Sequence, residues 1–284
     1  MIAAIPTPIT ETGEPDCERL VALARALLVE GCDGLNVLGT TGEATSFAVE
    51  QRLRVMAAVR KALPESPLMV GTGAAALADA IFLTRQAARL DFSAALLLPP
   101  FYYKNISEEG VISYVVSVAE ATADSPIPLY LYNFPAMSGV TYTCTVVRKL
   151  VTQLGARIGG VKDSSGDLEY ARSVASISPQ LRVFPSNEAT LMEARAGVFD
   201  GCISATANVS CAHCAKAYHA GDEVALRKAV AIRQIFDGLP LVPAVKYVLS
   251  RTRREPELAA VMAPLVKLSV QQQMVLDARQ EALG

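Results

Sequence analysis

The chain is short of the features that mark several functional classes. It has only two histidines, His213 and His219, both in one segment. A metal enzyme that draws histidine and carboxylate ligands from several strand ends is therefore poorly supplied. No lysine and arginine block is long enough for a nucleic-acid surface, and "RTRRE" at 251–255 reads as a solvated helix face. No apolar run reaches the ~18 residues that span a bilayer. The opening "MIAAIPTPITETGEPD" has neither the basic start nor the long apolar centre of a secretory signal. With a net charge of −2, these absences set aside nucleic acid and membrane as partners and point to the cytoplasm. No G-x-G-x-x-G follows the first apolar run, which removes the main argument for a dinucleotide.

Cysteines are few and scattered, at 17, 32, 144, 202, 211 and 214. They read as reduced thiols rather than a disulfide framework. "CAHCAKAYH" at 211–219 brings Cys211, His213, Cys214 and His219 together. Cys214 and His219 are not an i, i+4 pair, and no second cysteine pair lies elsewhere. The segment reads as an alanine-rich helix with small buried cysteines, so no metal and no other cofactor is expected.

What the chain has in quantity is apolar side chains, 51% of its 284 residues, against 19% charged. That supports a sizeable core. Eight apolar runs recur, at 2–6, 34–38, 68–73, 94–100, 128–133, 158–163, 181–186 and 201–206. Most end in Gly, Pro, Ser, Thr or Asn, as buried strands do. Between them lie helical patterns such as "CERLVALARALLVE" and "ALADAIFLTRQAARL", with Asp16 and Ser107 where N-caps belong. Strands that are apolar throughout belong to a parallel sheet covered by helices. The order predicts a (βα)8 barrel over residues 1–221. Helices without further strands follow over 222–284, packed on the barrel.

In such a barrel the chemistry sits at the C-terminal ends of the strands. The second run ends in Thr40, Thr41 and Glu43, the fourth in Tyr102 and Tyr103, the fifth in Tyr132 and the sixth in Lys162. The seventh ends in "PSNE" and the eighth in "ISAT". Strand side chains alternate, so Gly160 and Lys162 share a face, and Gly160 leaves space beside the lysine stem. A lysine facing inward loses solvation, so its free amine becomes accessible for attack on a ketone to form a Schiff base. The alternative for a lone lysine is snorkelling into water. Tyr132 is a candidate proton carrier, with Thr40 able to relay, or else a core aromatic with a capped hydroxyl. Thr40 and Thr41, flanked by glycines, form a cradle for a small carboxylate or simply shape a turn.

These residues resemble the dihydrodipicolinate synthase/N-acetylneuraminate lyase family of pyruvate-dependent class I aldolases. The resemblance runs from "IPTPIT" through "GTTGEAT", "LLPPFYYKN", "YNFPAMSG" and "GVKDSSGDL" to "GCISATANV". It implies that Lys162 is the Schiff-base lysine and Tyr132 the relay tyrosine, with Thr40 the relay hydroxyl and Thr41 the carboxylate binder. Tyr102 resembles the tyrosine that completes the relay from a neighbouring subunit, and an additional residue in that loop keeps Tyr103 open. Ile203 and Ser204 match the pocket wall, and the family implies a homotetramer built as a dimer of dimers.

One position departs from the synthases. They carry an arginine after the "YN-P" tyrosine for the aldehyde substrate's carboxylate, and Met137 stands in that loop here. A thioether holds no carboxylate. Glu188 resembles the lyase acidic residue for substrate hydroxyls, or else is a helix-start glutamate. Ser164 and Ser186 add neutral hydrogen-bonding groups, and Ser186 narrows a place where the family often has glycine. The expected substrates are pyruvate and an aldehyde, joined or released as a 2-keto-3-deoxy sugar acid or related 4-hydroxy-2-oxo acid. Dihydrodipicolinate synthesis, a dehydratase using the same imine, and a non-catalytic sensor that keeps the pocket are the alternatives.

Overall fold

The computed structural model describes residues 1–283. Strands β1 (Ile2–Ala4), β2 (Gly34–Val37), β3 (Leu68–Gly71), β4 (Ala94–Leu97), β5 (Leu129–Asn133), β6 (Ile158–Asp163), β7 (Arg182–Pro185) and β8 (Ile203–Ser204) fall in the eight apolar runs. The sheet order is β7-β6-β5-β4-β3-β2-β1-β8, and the paired strands are parallel. A helix follows every strand, so the fold is the expected (βα)8 barrel. Every residue of β2, β3, β4 and β5 is buried, which is why their sequences do not alternate.

Several strands are shorter than their apolar runs. Pro6 has no N–H to continue the ladder, and β1 ends two residues before it at Ala4. β4 likewise ends at Leu97, ahead of Pro99 and Pro100. The helices are α1 (Cys17–Val29), α2 (Val49–Ala62), α3 (Leu77–Arg89), α4 (Glu108–Ala121), the single-turn α5 (Pro135–Ser138) and α6 (Cys144–Leu154). α7 (Leu168–Ala175), α8 (Leu191–Arg195), α9 (Ala207–Ala215), α10 (Glu223–Gln234), α11 (Leu241–Arg253) and α12 (Val270–Glu281) complete the set. Both expected caps form. Asp16 accepts from Arg19 N at 3.0 Å, and Ser107 Oγ accepts from Gly110 N at 3.2 Å.

The chain divides into two compact units, residues 1–65 with 203–284, and residues 66–202. In the first, β1 lies between β2 and β8, pairing Ala4 with Asn36 and Ala3 with Ser204. There α10 and α11 pack on α9, and α12 on α11. In the second, β3 to β7 are neighbours in chain order, and the register puts Tyr132 beside Lys162 and Lys162 beside Phe184. Among the described residues, no helix is long and apolar enough to cross a membrane.

Candidate functional site

In the unit of residues 66–202, the expected lysine and tyrosine are adjacent. Lys162 and Tyr132 are each 3% exposed, and Lys162 Nζ lies 4.2 Å from the centre of the Tyr132 ring. This is cation–π distance. It excludes the snorkelling alternative, because the lysine does not reach water. The space beside Gly160 is not left for the lysine stem, as the alternation suggested. The Tyr130 ring and the Arg182 carbonyl occupy it, and neither Gly160 nor Gly159 has room for a Cβ. The glycines admit Tyr130, which packs on Phe184 with ring centres 6.0 Å apart and forms the layer below the lysine.

The strand ends here are tied by amides and carboxylates. Asp163 accepts from Asn133 Nδ2 at 2.7 Å, Ser165 Oγ at 2.9 Å and Ser165 N at 3.3 Å. Burial raises its pKa against those three donors. Asn133 Oδ1 accepts from Tyr142 N at 3.1 Å. Ser164 N donates to Asn133 O and Ser186 N to Asp163 O, both at 2.8 Å. The Asn133–Asp163 bracket thus fixes the backbone immediately after Tyr132 and Lys162. The sequence displayed both residues in its motifs but gave no sign that they bond each other.

Other expected residues of this unit are placed as follows. Glu188 is fully buried at the first position of a short 3-10 turn that leads into α8, so it does stand at a helix start. Ser164 and Ser186 are half-buried at the ends of β6 and β7. Tyr102 and Tyr103 are 72% and 70% exposed, edge to face with centres 5.4 Å apart. Met137 is 66% exposed on α5. Lys104 Nζ lies against the same turn, held by the Phe101 carbonyl at 2.5 Å and the Ser138 carbonyl at 2.9 Å.

In the other unit, the turn after β2 carries Thr40 and Thr41. It is bounded by two left-handed residues that are not glycine, Leu38 at φ 53° and Glu43 at φ 54°, a conformation that needs support from its surroundings. Glu43 N donates to Thr40 O at 3.0 Å and Thr7 Oγ1 to Gly42 O at 2.8 Å. The Glu43 carboxylate adds the strongest hold. It is completely buried, pairs with the equally buried Lys246 of α11, and accepts from Met262 N at 2.7 Å. Burial lowers the pKa of Lys246, and the charge of Glu43 opposes that. Thr41 is buried and Thr40 half-buried.

At β8, Ile203 and Ser204 are buried. Ser204 Oγ lies 2.9 Å from Thr206 Oγ1, and Arg233 Nη1 is 3.5 Å from both. The sequence reading missed Lys246 and Arg233, whose surroundings arise from chain folding and not from any local motif.

The "CAHCAKAYH" donors do not converge. Cys211 is disulfide-bonded to Cys32, 179 residues away, with Cα atoms 5.9 Å apart. This corrects the expectation of free thiols throughout, and nothing local in the sequence marks a partner so distant. Cys214 Sγ lies 3.3 Å from Ser210 Oγ, and His219 Nε2 is 2.8 Å from Asp33 Oδ1. Among the described residues, no group of three or more His, Cys, Asp or Glu is placed to hold a metal ion.

Known proteins share this chain's sequence pattern and fold. The model of the dihydrodipicolinate synthetase family matches residues 1–273. A DapA-like lyase of Chloroflexus aurantiacus is 35% identical over 290 residues, covering 100% of this chain and 96% of that protein. A 4-hydroxy-tetrahydrodipicolinate synthase of Laribacter hongkongensis is 32% identical over 99% of this chain and 97% of its own length. Among solved structures, a prophage protein of the dihydrodipicolinic acid synthase family from E. coli K12, in complex with pyruvate, aligns with a TM-score of 0.90. It is 25% identical and covers 99% of this chain and 97% of its own.

Proposed function

The chain belongs to the dihydrodipicolinate synthetase family, and from that premise we propose that it is a pyruvate-dependent class I aldolase, a lyase working through a Schiff base on Lys162. The observation that carries this is Lys162 itself, a buried amine at the C-terminal end of β6 against the face of Tyr132. The pyruvate complex of the E. coli family member supports a 2-oxo acid as the substrate. Lys162 Nζ adds to the C2 carbonyl of the 2-oxo acid, and water leaves to give an iminium. This draws electrons from the C3–C4 bond, so a C4 hydroxyl gives up its proton while that bond breaks and an aldehyde departs. The enamine left behind takes a proton at C3 and hydrolyses to pyruvate and free lysine. Tyr132 is the proton carrier, with Thr40 and Tyr102 assigned to the relay and Thr41 to the carboxylate.

For the second substrate, the exposed thioether of Met137 offers nothing to a carboxylate, and Lys104 beside it is engaged by two carbonyls. Neutral groups at Ser164, Ser186 and Ser204, with Glu188, suit a polyhydroxylated partner. We therefore assign a 2-keto-3-deoxy sugar acid or related 4-hydroxy-2-oxo acid. The 32% identity to a 4-hydroxy-tetrahydrodipicolinate synthase favours a second reading, pyruvate with aspartate semialdehyde. The same proposal places the enzyme in the cytoplasm as a homotetramer. Borohydride reduction in the presence of pyruvate tests the chemistry. A reduced pyruvyl adduct is expected on the Lys162 peptide, and an adduct elsewhere, or one that persists in Lys162→Ala, overturns the mechanism. Aldehyde choice is tested by comparing retro-aldol release of pyruvate from sugar acids with synthesis from aspartate semialdehyde. The latter is expected to be lower in kcat/KM by about two to three orders of magnitude.

A further inference from the structure

Between β4 and α4 the chain passes Pro99 and Pro100, which have no N–H to donate, and then "FYYKN" at 101–105. Tyr102 and Tyr103 stand out from this loop with both rings exposed and edge to face. Among the described residues, every hydrogen bond that residues 101–105 make to protein groups runs through the Lys104 side chain. Its Nζ donates to the Phe101 carbonyl at 2.5 Å and to the Ser138 carbonyl at 2.9 Å. The first bond bridges the backbone across Tyr102 and Tyr103. The second crosses to α5, 34 residues along the chain.

α5 is a firm anchor for that bond. It begins at Pro135, two residues after β5 ends at Asn133, and so follows directly from the strand that carries Tyr132. Ser138 is 2% exposed. Its hydroxyl donates to the Val140 carbonyl at 2.8 Å and accepts from Val140 N at 3.2 Å. The Ser138 carbonyl ends the helix, where intrahelical donors run out, and a lysine ammonium suits such a carbonyl. Gly139 lets the lysine come close. It is left-handed at φ 68°, and a Cβ there would lie 3.1 Å from Lys104 Nζ and 3.2 Å from Cδ. We propose that Lys104 is a positioning residue, a clasp that holds the Tyr102–Tyr103 loop to α5 and so sets where the relay tyrosine of that loop stands in a neighbouring subunit's site. The inference rests on the relay role proposed above for this loop and adds the device that aims it.

The test follows exchange of the pyruvate C3 protons for solvent deuterium, which needs the imine and the relay but no aldehyde. Lys104→Met keeps the length of the side chain and removes its donors. It should slow exchange by about 10- to 100-fold and leave borohydride trapping and sedimentation as in the parent. Lys104→Arg, which still donates to carbonyls, should stay within about threefold of the parent. In a Tyr102→Phe/Tyr103→Phe background the group being aimed is gone, so Lys104→Met should change exchange by less than about twofold. An equal loss in both backgrounds would show that Lys104 does not act through the tyrosines and overturn the proposal. Dissociation of the oligomer in Lys104→Met, or a loss in Lys104→Arg as large as in Lys104→Met, would also overturn it. The clasp itself has a readout apart from activity. Chymotrypsin should cleave after Tyr102 or Tyr103 about tenfold faster in Lys104→Met than in the parent, and equal rates would mean that the loop is not clasped. A parent protein that gives no borohydride adduct fails the aldolase reading instead, whatever the cleavage rates show.

Discussion

Lys162 and Tyr132 show how much a single contact decides. The ring face lies beneath the ammonium and both groups are buried, and the proposed mechanism has Tyr132 act on what Lys162 holds. Tyr132→Phe keeps the ring and removes only the hydroxyl, so kcat should fall by about 10²–10⁴ while imine trapping survives. Wild-type turnover would return Tyr132 to a packing role. Away from the site, His213 on α9 has its pKa lowered from 6.5, first by burial and then by Lys228 and Lys216, with Asp222 opposing. The unfolded chain therefore takes up this proton before the folded one. The stability that His213 contributes is present above about pH 6.5 and declines as pH falls below it. His213→Gln should flatten that part of a Tm-against-pH curve, and parallel curves for both proteins would contradict the assignment.

Elements are held in place here by pairs that local sequence does not announce. β5 and β6 are locked at their ends by Asn133 and Asp163, so the register that sets Tyr132 beside Lys162 is stabilised from just above it. The Thr40–Thr41 turn is held through Glu43, whose carboxylate reaches both α11 and the backbone of Met262. Removing one partner of a buried ion pair leaves an uncompensated charge, which typically costs about 3–5 kcal/mol. Lys246→Met is expected to lower unfolding stability by that order in denaturant titrations. The double variant Glu43→Gln/Lys246→Met should recover much of the loss, since neither charge then remains. A single variant as stable as the parent would show that the pair is not needed to hold the turn.

At the scale of the whole molecule, the adjacent exposed rings of Tyr102 and Tyr103 are the feature most in need of a partner. Aromatic side chains are enriched at protein interfaces, and the family resemblance assigns one of these two to a neighbour's site. The protein should sediment as a homotetramer. Tyr102→Ala or Tyr103→Ala, whichever ring crosses, should lower kcat more than it changes pyruvate trapping. A monomer with full activity would exclude a cross-subunit role for either ring.

The succession of eight apolar runs and intervening helical periods determined the (βα)8 class by itself, because strand and helix periodicity and turn chemistry are local properties. The same local reading placed Lys162, Tyr132, Thr40 and Thr41 at strand ends, since motif and strand end coincide. It did not reach what depends on residues distant in the chain. Cys32 with Cys211, Glu43 with Lys246 and Met262, and Tyr130 in the space beside Gly160 are tertiary facts. Lys104 lies between the two. Its letter was visible in "LLPPFYYKN", but a lysine in a loop has meaning only once folding brings the Ser138 carbonyl to its ammonium. Burial and hydrogen-bond satisfaction are properties of the packed chain, and only the tertiary structure decides them.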